Sequence, residues 1–153
     1  MAFEIERKFL VKDDSWHDGA PGTRIAQGYL SRDIVRTVRV RIAGERAWIT
    51  VKGRNSGISR QEFEYEIPLE DARELLVICL PSVIDKTRHE VRHAGHLWEV
   101  DVFHGDNAGL IVAEVELEDE LDSPELPGWI GEEVSADARY FNSNLTEMPY
   151  VNW

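Results

Sequence analysis

Cysteine is almost absent from this chain. A single thiol, Cys79, excludes a disulfide within the 153 residues and suits a reducing compartment, so the cytoplasm is the expected location. Cys79 lies in the apolar run Leu75-Leu76-Val77-Ile78-Cys79-Leu80, where a buried, inert thiol is expected. Long apolar runs are missing too. None approaches the ~18 residues of a membrane-spanning helix, and the charged N-terminus is no signal peptide, so no membrane association is expected. Positive charge is scarce: 17 Lys and Arg stand against 29 Asp and Glu, for a net charge of −12. That balance argues against binding a nucleic-acid polymer, which normally needs a basic surface. No P-loop or GxGxxG sequence is present, so any phosphate would have to be held by side chains rather than by a glycine cradle. Linkers, low-complexity tracts and internal repeats are lacking as well. What remains is 42% hydrophobic and 30% charged, the composition of one globular domain over residues 1–153.

The chain reads as strands broken by short turns. Alternating segments predict strands over residues 2–11, 23–31, 37–42, 47–52, 60–67, 83–92, 96–102 and 111–118, with a short one over 132–134. Residues 69–80 have helical spacing, with Ala72, Leu75, Leu76 and Cys79 on one side, and Pro81 ends the pattern. Ser135 has the chemistry of an N-cap before a helix over 136–144. The expected class is mainly β with a little α, an antiparallel barrel that is closed or nearly so.

The polar faces of these strands are almost purely ionic. At period two, Glu4, Glu6 and Lys8 alternate with Phe3, Ile5 and Phe9. Arg39 and Arg41 share one face, as do Lys86 and Arg88. Lys52 lies opposite Ile49 and Val51. Arg60, Glu62, Glu64 and Glu66 form another charged row, followed by Glu99 with Asp101 and by Glu114, Glu116 and Glu118. The wet side of a half-buried sheet also alternates. Such a side mixes Thr, Ser and Gln with its charges, however, whereas here acids and bases are sorted into like-charged pairs that repel. A bound cation would relieve the acidic pairs and a bound polyanion the basic ones. The pattern therefore predicts an inverted barrel with an ionic interior and apolar outer faces covered by helices and loops. Carboxylates suit hard divalent cations such as Mg²⁺ or Mn²⁺. Arginine forks and lysine ammonium groups suit phosphate oxygens.

Glu4-Ile5-Glu6-Arg7-Lys8 resembles the ExExK motif of the triphosphate tunnel metalloenzymes, the CYTH domain family. The similarity runs through Gln27-Gly28-Tyr29-Leu30, Arg39-Val40-Arg41, Lys52, residues 60–66, Asp85-Lys86-Thr87-Arg88, Glu99-Val100-Asp101 and Glu114-Val115-Glu116 to Glu133-Val134-Ser135 and Tyr140-Phe141-Asn142. It implies an eight-stranded antiparallel barrel forming a tunnel that takes a small-molecule triphosphate with Mg²⁺ or Mn²⁺. It further implies metal coordination by Glu6, Asp101, Glu114 and Glu116 with Glu4 in support, and phosphate contacts from Lys8, Arg39, Arg41, Lys52, Lys86 and Arg88. Arg60, Glu62, Glu64 and Glu99 belong to the tunnel wall. Compact bacterial members resemble inorganic triphosphatases, which cleave tripolyphosphate to diphosphate and phosphate. Lys86 is then the candidate to position or deprotonate water, with a basicity depressed by Arg88 and Arg41. Tyr29 is a candidate to close over substrate at a tunnel mouth, and equally an aromatic packed in place.

Three other readings are open at this point. A class IV-type adenylyl cyclase needs a purine pocket, for which Tyr65, Phe103 and Trp129 are available. A thiamine triphosphatase needs an aromatic platform, for which Trp16 and Trp48 are available. A non-catalytic polyphosphate- or nucleotide-binding module would not require so many carboxylates. Zinc is disfavoured because His89, His93, His96 and His104 match no common ligand spacing. Trp129 and Trp153 are candidates for a homodimer contact.

Overall fold

In the computed structural model, which describes residues 3–153, the strands are β1 (Phe3–Val11), β2 (Thr23–Ser31), β3 (Thr37–Ala43), β4 (Arg46–Lys52), β5 (Ser59–Ile67), β6 (Ile84–His93), β7 (His96–Phe103), β8 (Ile111–Glu116) and β9 (Ile130–Glu133). Helix α1 (Leu69–Ile78) follows β5, and a single helical turn, α2 (Asn142–Leu145), lies in the C-terminal segment. The predicted start of the first strand at Ala2 lies outside the described residues.

All the pairings are antiparallel, in the order β5-β4-β3-β2-β6-β7-β8-β1, and β5 returns to β1 to close an eight-stranded barrel. β1 makes the closure possible by dividing its length. Residues 3–5 pair with β5, residues 6–10 with β8, and Phe9 and Val11 with the extra strand β9.

The apolar sides of the strands face outward and are covered. Helix α1 lies across β2, β3 and β4, where Ala72, Leu75, Leu76 and Cys79 meet Val40, Ile42 and Ala47. Gly28 permits that close approach, since a Cβ there would stand 3.0 Å from Cys79 and 3.1 Å from Leu76. On the opposite side Phe9, Trp98, Val100, Ala113 and Val115 are covered by Trp16, Leu117 and Trp129 from the flanking loops. One end of the barrel interior is apolar as well. Ile84, Phe103 and Val112 pack there against Tyr140 and Leu145 of the C-terminal segment, which forms a floor.

The helix predicted over 136–144 is replaced by a 3₁₀ turn at Ala138–Tyr140 followed by α2. Ser135 caps nothing. Its hydroxyl accepts from the Lys8 backbone N–H (2.9 Å) and donates to Glu133 (2.7 Å), tying the segment to β1. Trp129 is buried in the core and is therefore not a surface contact between copies. Cys79 is only half-buried, at the C-terminal end of α1, and burial raises its thiol above the ordinary range.

Candidate active site

Because partners in register share a face, the inward residues of neighbouring strands form continuous rows. Tyr29, Arg39, Thr50 and Glu64 stand side by side across β2–β5. Lys8, Glu114 and Glu99 do so across β1, β8 and β7, and Glu6 stands opposite Glu116. These rows enclose a cavity of about 280 Å³ lined by Glu4, Glu6, Lys8, Tyr29, Arg39, Arg41, Lys52, Arg60, Glu62, Glu64, Lys86, Arg88, Glu99, Glu114 and Glu116. A second cavity of about 260 Å³, at Thr23, Ile25, Ala43, Trp48 and Glu90, shares Arg41, Glu64, Arg88 and Glu99 with the first, so the ionic interior continues as a tunnel.

Basic residues gather on β3 and β6. The Lys86 ammonium is fully buried, donating to Asp101 at 2.8 Å and to the Asn142 side-chain oxygen at 3.0 Å. Arg88 grips Asp101 with both arms of its fork, at 2.8 and 2.9 Å, and reaches Glu99 at 3.2 Å. Arg39 uses one terminal nitrogen on Thr50 (3.1 Å) and Glu64 (3.3 Å), while its Nε is buried without an acceptor. Arg41 donates to Gln27 at 2.9 Å, and Arg60 donates to the Gly53 carbonyl (2.7 Å) and Thr37 (2.8 Å). Among the described residues neither Arg41 nor Arg60 has an ion-pair partner.

Acids gather on β1, β7 and β8. Burial, then Glu114 and Glu4, push the Glu6 carboxyl well above the usual range. Burial also raises Glu99 and Glu116, against Arg88 in the first case and with Glu4 in the second. Glu4 is different. Burial would raise it too, but Lys52 holds both its oxygens, at 3.0 and 3.1 Å, and keeps it well below the usual range. Its neighbour Glu62, half-buried beside the Glu4 carboxylate, is pushed up to about 7 by burial and by that charge. Burial would lower Lys8, yet Glu114 and Glu6 outweigh it and hold the ammonium charged.

Asp101 departs from its expected role. It is absent from the cavity lining, and both its oxygens are taken by Lys86 and Arg88. It serves as their buried counter-ion, whereas Glu6, Glu114 and Glu116, the other carboxylates expected to hold metal, line the cavity. Among the described residues no three His, Cys, Asp or Glu side chains stand close enough to hold a metal alone. That suits a hard cation that takes one or two carboxylates and completes its shell with phosphate oxygens and water. Glu6 and Glu116, raised by burial and by neighbouring carboxylates, are the groups such a cation would relieve. Glu114, despite its burial, is held below the usual range and ionised by Lys8, so the donor set fits a hard divalent cation.

Lys86 is lowered to about 7, chiefly by burial, with Arg88 and Arg41 adding to it against Asp101. The expected crowding by arginines is real but secondary. Arg41 is lowered to about 9 by burial and by Arg39 and Arg88, and it remains charged at neutral pH. Tyr29 is buried in the cavity wall rather than hinged at a mouth, and its hydroxyl accepts from Gln27 at 3.3 Å.

Gln27, Thr50 and Asn142 were not among the expected site residues. Gln27 shares its strand face with Tyr29 and Thr50 with Lys52, so the period-two pattern contained them. Asn142 lies in an irregular segment with no pattern to expose it. Of the aromatic residues considered for an organic substrate, Phe103 and Trp129 are buried in apolar cores and Tyr65 is exposed, outside both cavities. Trp16 is in the core, and only Trp48 reaches a cavity, the second one. The histidines are dispersed: His89 packs on Trp16, His93 meets Glu125, His96 meets Asp122 and His104 bonds Thr87.

The CYTH domain matches residues 2–149. The chain belongs to the CYTH domain family. It is 47% identical to an inorganic triphosphatase of Acetivibrio thermocellus over 154 residues, covering 100% of this chain and 99% of that protein. It is 37% identical to an inorganic triphosphatase of Nitrosomonas europaea over 148 residues, with 93% and 95% covered. The solved structure of the inorganic triphosphatase NE1496 superposes with a TM-score of 0.65 at 35% identity, covering 94% of this chain and 97% of that one. The eight-stranded closed barrel expected from the sequence is therefore the family's architecture.

Proposed function

We propose that this CYTH protein is a divalent-metal-dependent hydrolase that cleaves inorganic triphosphate to diphosphate and phosphate. The observation that carries this reading is unmet guanidinium donors inside the tunnel. Arg41 is buried in the tunnel with no carboxylate partner, and the Nε of Arg39 is buried with no acceptor at all. Buried donors left in this state are costly, and a phosphate chain satisfies them. The cavity is lined mostly by ions and carries only Tyr29 and Phe141 as aromatics, so it recognises the phosphate chain rather than an organic group. The inorganic triphosphatases to which the chain is 37–47% identical support the same substrate.

Arg39, Arg41 and Arg88 bind and orient the polyanion, with Lys8, Lys52 and Arg60 around them. Their fixed positive charge lies where phosphoryl oxygens gain charge, which is the main source of rate in such reactions. Glu6, Glu114 and Glu116 would hold Mg²⁺ or Mn²⁺, with Glu4 behind them held by Lys52. When bound, such a cation neutralises phosphate charge and acts as a Lewis acid on phosphoryl oxygen. Lys86, lowered to about 7, exists partly as a neutral amine near neutral pH and accepts the proton of the attacking water. As the water oxygen bonds to a terminal phosphorus, the bridging P–O bond breaks. Diphosphate leaves with that bond's electron pair.

The test is product analysis by ³¹P NMR with tripolyphosphate, ATP and thiamine triphosphate, each with Mg²⁺, with Mn²⁺ and with chelator. Metal-dependent formation of diphosphate and phosphate from tripolyphosphate is expected, and Lys86→Met is expected to lower turnover by ~10²-fold or more. Cyclic AMP from ATP, or binding without turnover, would reject the hydrolase.

A further inference from the structure

Two of the tunnel's cations, Arg41 and the fully buried Lys86, are joined by a chain of two neutral amides. Arg41 Nε donates to Gln27 Oε1 at 2.9 Å, Gln27 Nε2 donates to Asn142 Oδ1 at 3.1 Å, and Lys86 Nζ donates to that same oxygen at 3.0 Å. Direction in this chain is forced. Arginine and a lysine ammonium can only donate, so each turns an amide oxygen toward itself, and the Gln27 amide nitrogen is left facing Asn142. Gln27 is fully buried, so its amide cannot exchange these partners for water.

We propose that Asn142 is a positioning residue for the reaction, fixing the Lys86 amine so that its free position faces the tunnel. A neutral lysine amine has two N–H donors and one lone pair. Asp101 Oδ2, at 2.8 Å, and Asn142 Oδ1 take the two donors. The remaining tetrahedral direction, carrying the lone pair, is left for the cavity that Lys86 lines. Without the Asn142 acceptor, the second N–H has no fixed partner and the amine rotates about Cε–Nζ, so the lone pair points at water only part of the time. The cost falls on turnover more than on substrate binding, because Asn142 bonds Lys86 directly and reaches an arginine, Arg41, only through Gln27.

The placement of Asn142 is built in from outside the barrel. It opens α2, whose Leu145 is fully buried in the floor, and Thr146 accepts from Arg32 at 3.0 Å. Trp153 packs edge-on against Tyr140 and Tyr150, ring centroids 5.0 Å away in each case, closing the segment over the barrel end. The final strand-free stretch of the chain thus completes a site whose other members come from strands.

This inference rests on the reading of Lys86 as the group that handles the attacking water. Steady-state kinetics with tripolyphosphate would be measured for Asn142→Leu, Asn142→Ala, Asn142→Asp, Lys86→Met and the Lys86→Met/Asn142→Leu double variant. Asn142→Leu is expected to lower kcat by ~30-fold, less than the ~10²–10⁴-fold of a whole acid–base contribution because the amine itself stays, with KM changed less than about threefold. Asn142→Asp keeps the oxygen and is expected to recover turnover at higher pH, because its carboxylate favours the charged lysine. The double variant is expected to be no slower than Lys86→Met. If Asn142→Leu does not fold, Asn142→Ala carries the same expectation. Wild-type kcat in the leucine or alanine variant, a loss confined to KM, or an aspartate variant no better than leucine at every pH would each overturn the proposal. Near-normal turnover in Lys86→Met would instead remove the reading beneath it.

Discussion

Replacing Asp101 by asparagine tests whether the tunnel's charges are held by one buried counter-ion. Asp101 is 1% exposed and accepts from Lys86 once and Arg88 twice, all within 2.9 Å. Although burial opposes its ionisation, the two cations hold its carboxyl far below the usual range. Asparagine has the same shape but presents an amide N–H₂ to one of two groups that can only donate. Breaking a buried pair from one side typically costs ~3–5 kcal/mol, because the remaining charge stays buried. For a chain of this size ~1 kcal/mol moves Tm by ~2–4 °C, so a fall of about 10 °C is expected. Circular dichroism melts would be recorded with and without tripolyphosphate. The polyanion should recover much of the loss, since it supplies the negative charge that was removed. Adding Lys86→Met should also recover part of it by removing a stranded cation. A melt within about 2 °C of wild type, or one insensitive to both remedies, would refute the reasoning.

The pH dependence follows from Lys86. An amine lowered to about 7 must lose its proton to act, so kcat/KM should rise as pH passes about 7 in the free protein and level off above it. Bound polyphosphate favours the charged amine, so the inflection in kcat should lie at higher pH, as rate profiles at fixed metal concentration will show. Gly28→Ala should act on stability alone. Its Cβ would press on Cys79 and Leu76 of the covering helix at 3.0–3.1 Å, an overpacking cost of ~1–3 kcal/mol visible as a lower Tm, with kcat retained because α1 lies outside the tunnel.

Alternation made the tunnel legible in advance. The sorted pairs Arg39/Arg41, Lys86/Arg88 and Glu114/Glu116 could share an interior only if the apolar sides faced outward, and they do. Period two names a face but not a depth, however. Asp101 and Glu99 lie on the same side of β7, yet one is a buried counter-ion and the other lines the cavity. Ser135 was read as a cap because local chemistry favours one, whereas a partner 127 positions away, the Lys8 backbone, takes its hydroxyl. Asn142 could not be found from its neighbours in sequence, because its role is set by where the floor meets the barrel.

The division of β1 among three partners bears on how the protein comes to exist. Its carboxylates are made first, yet Glu6 and Lys8 meet Glu116 and Glu114 only after more than a hundred further residues are in place. Within β2–β5 and within β6–β8, neighbours can pair as they emerge, as hairpins or near-hairpins, while β2–β6 must join the two groups. The closing seams of β1 cannot pair this way, and such distant contacts slow folding through the entropy of loop closure. The first strand of the barrel is thus among the last to settle, and the charged tunnel is complete only when β1 closes it.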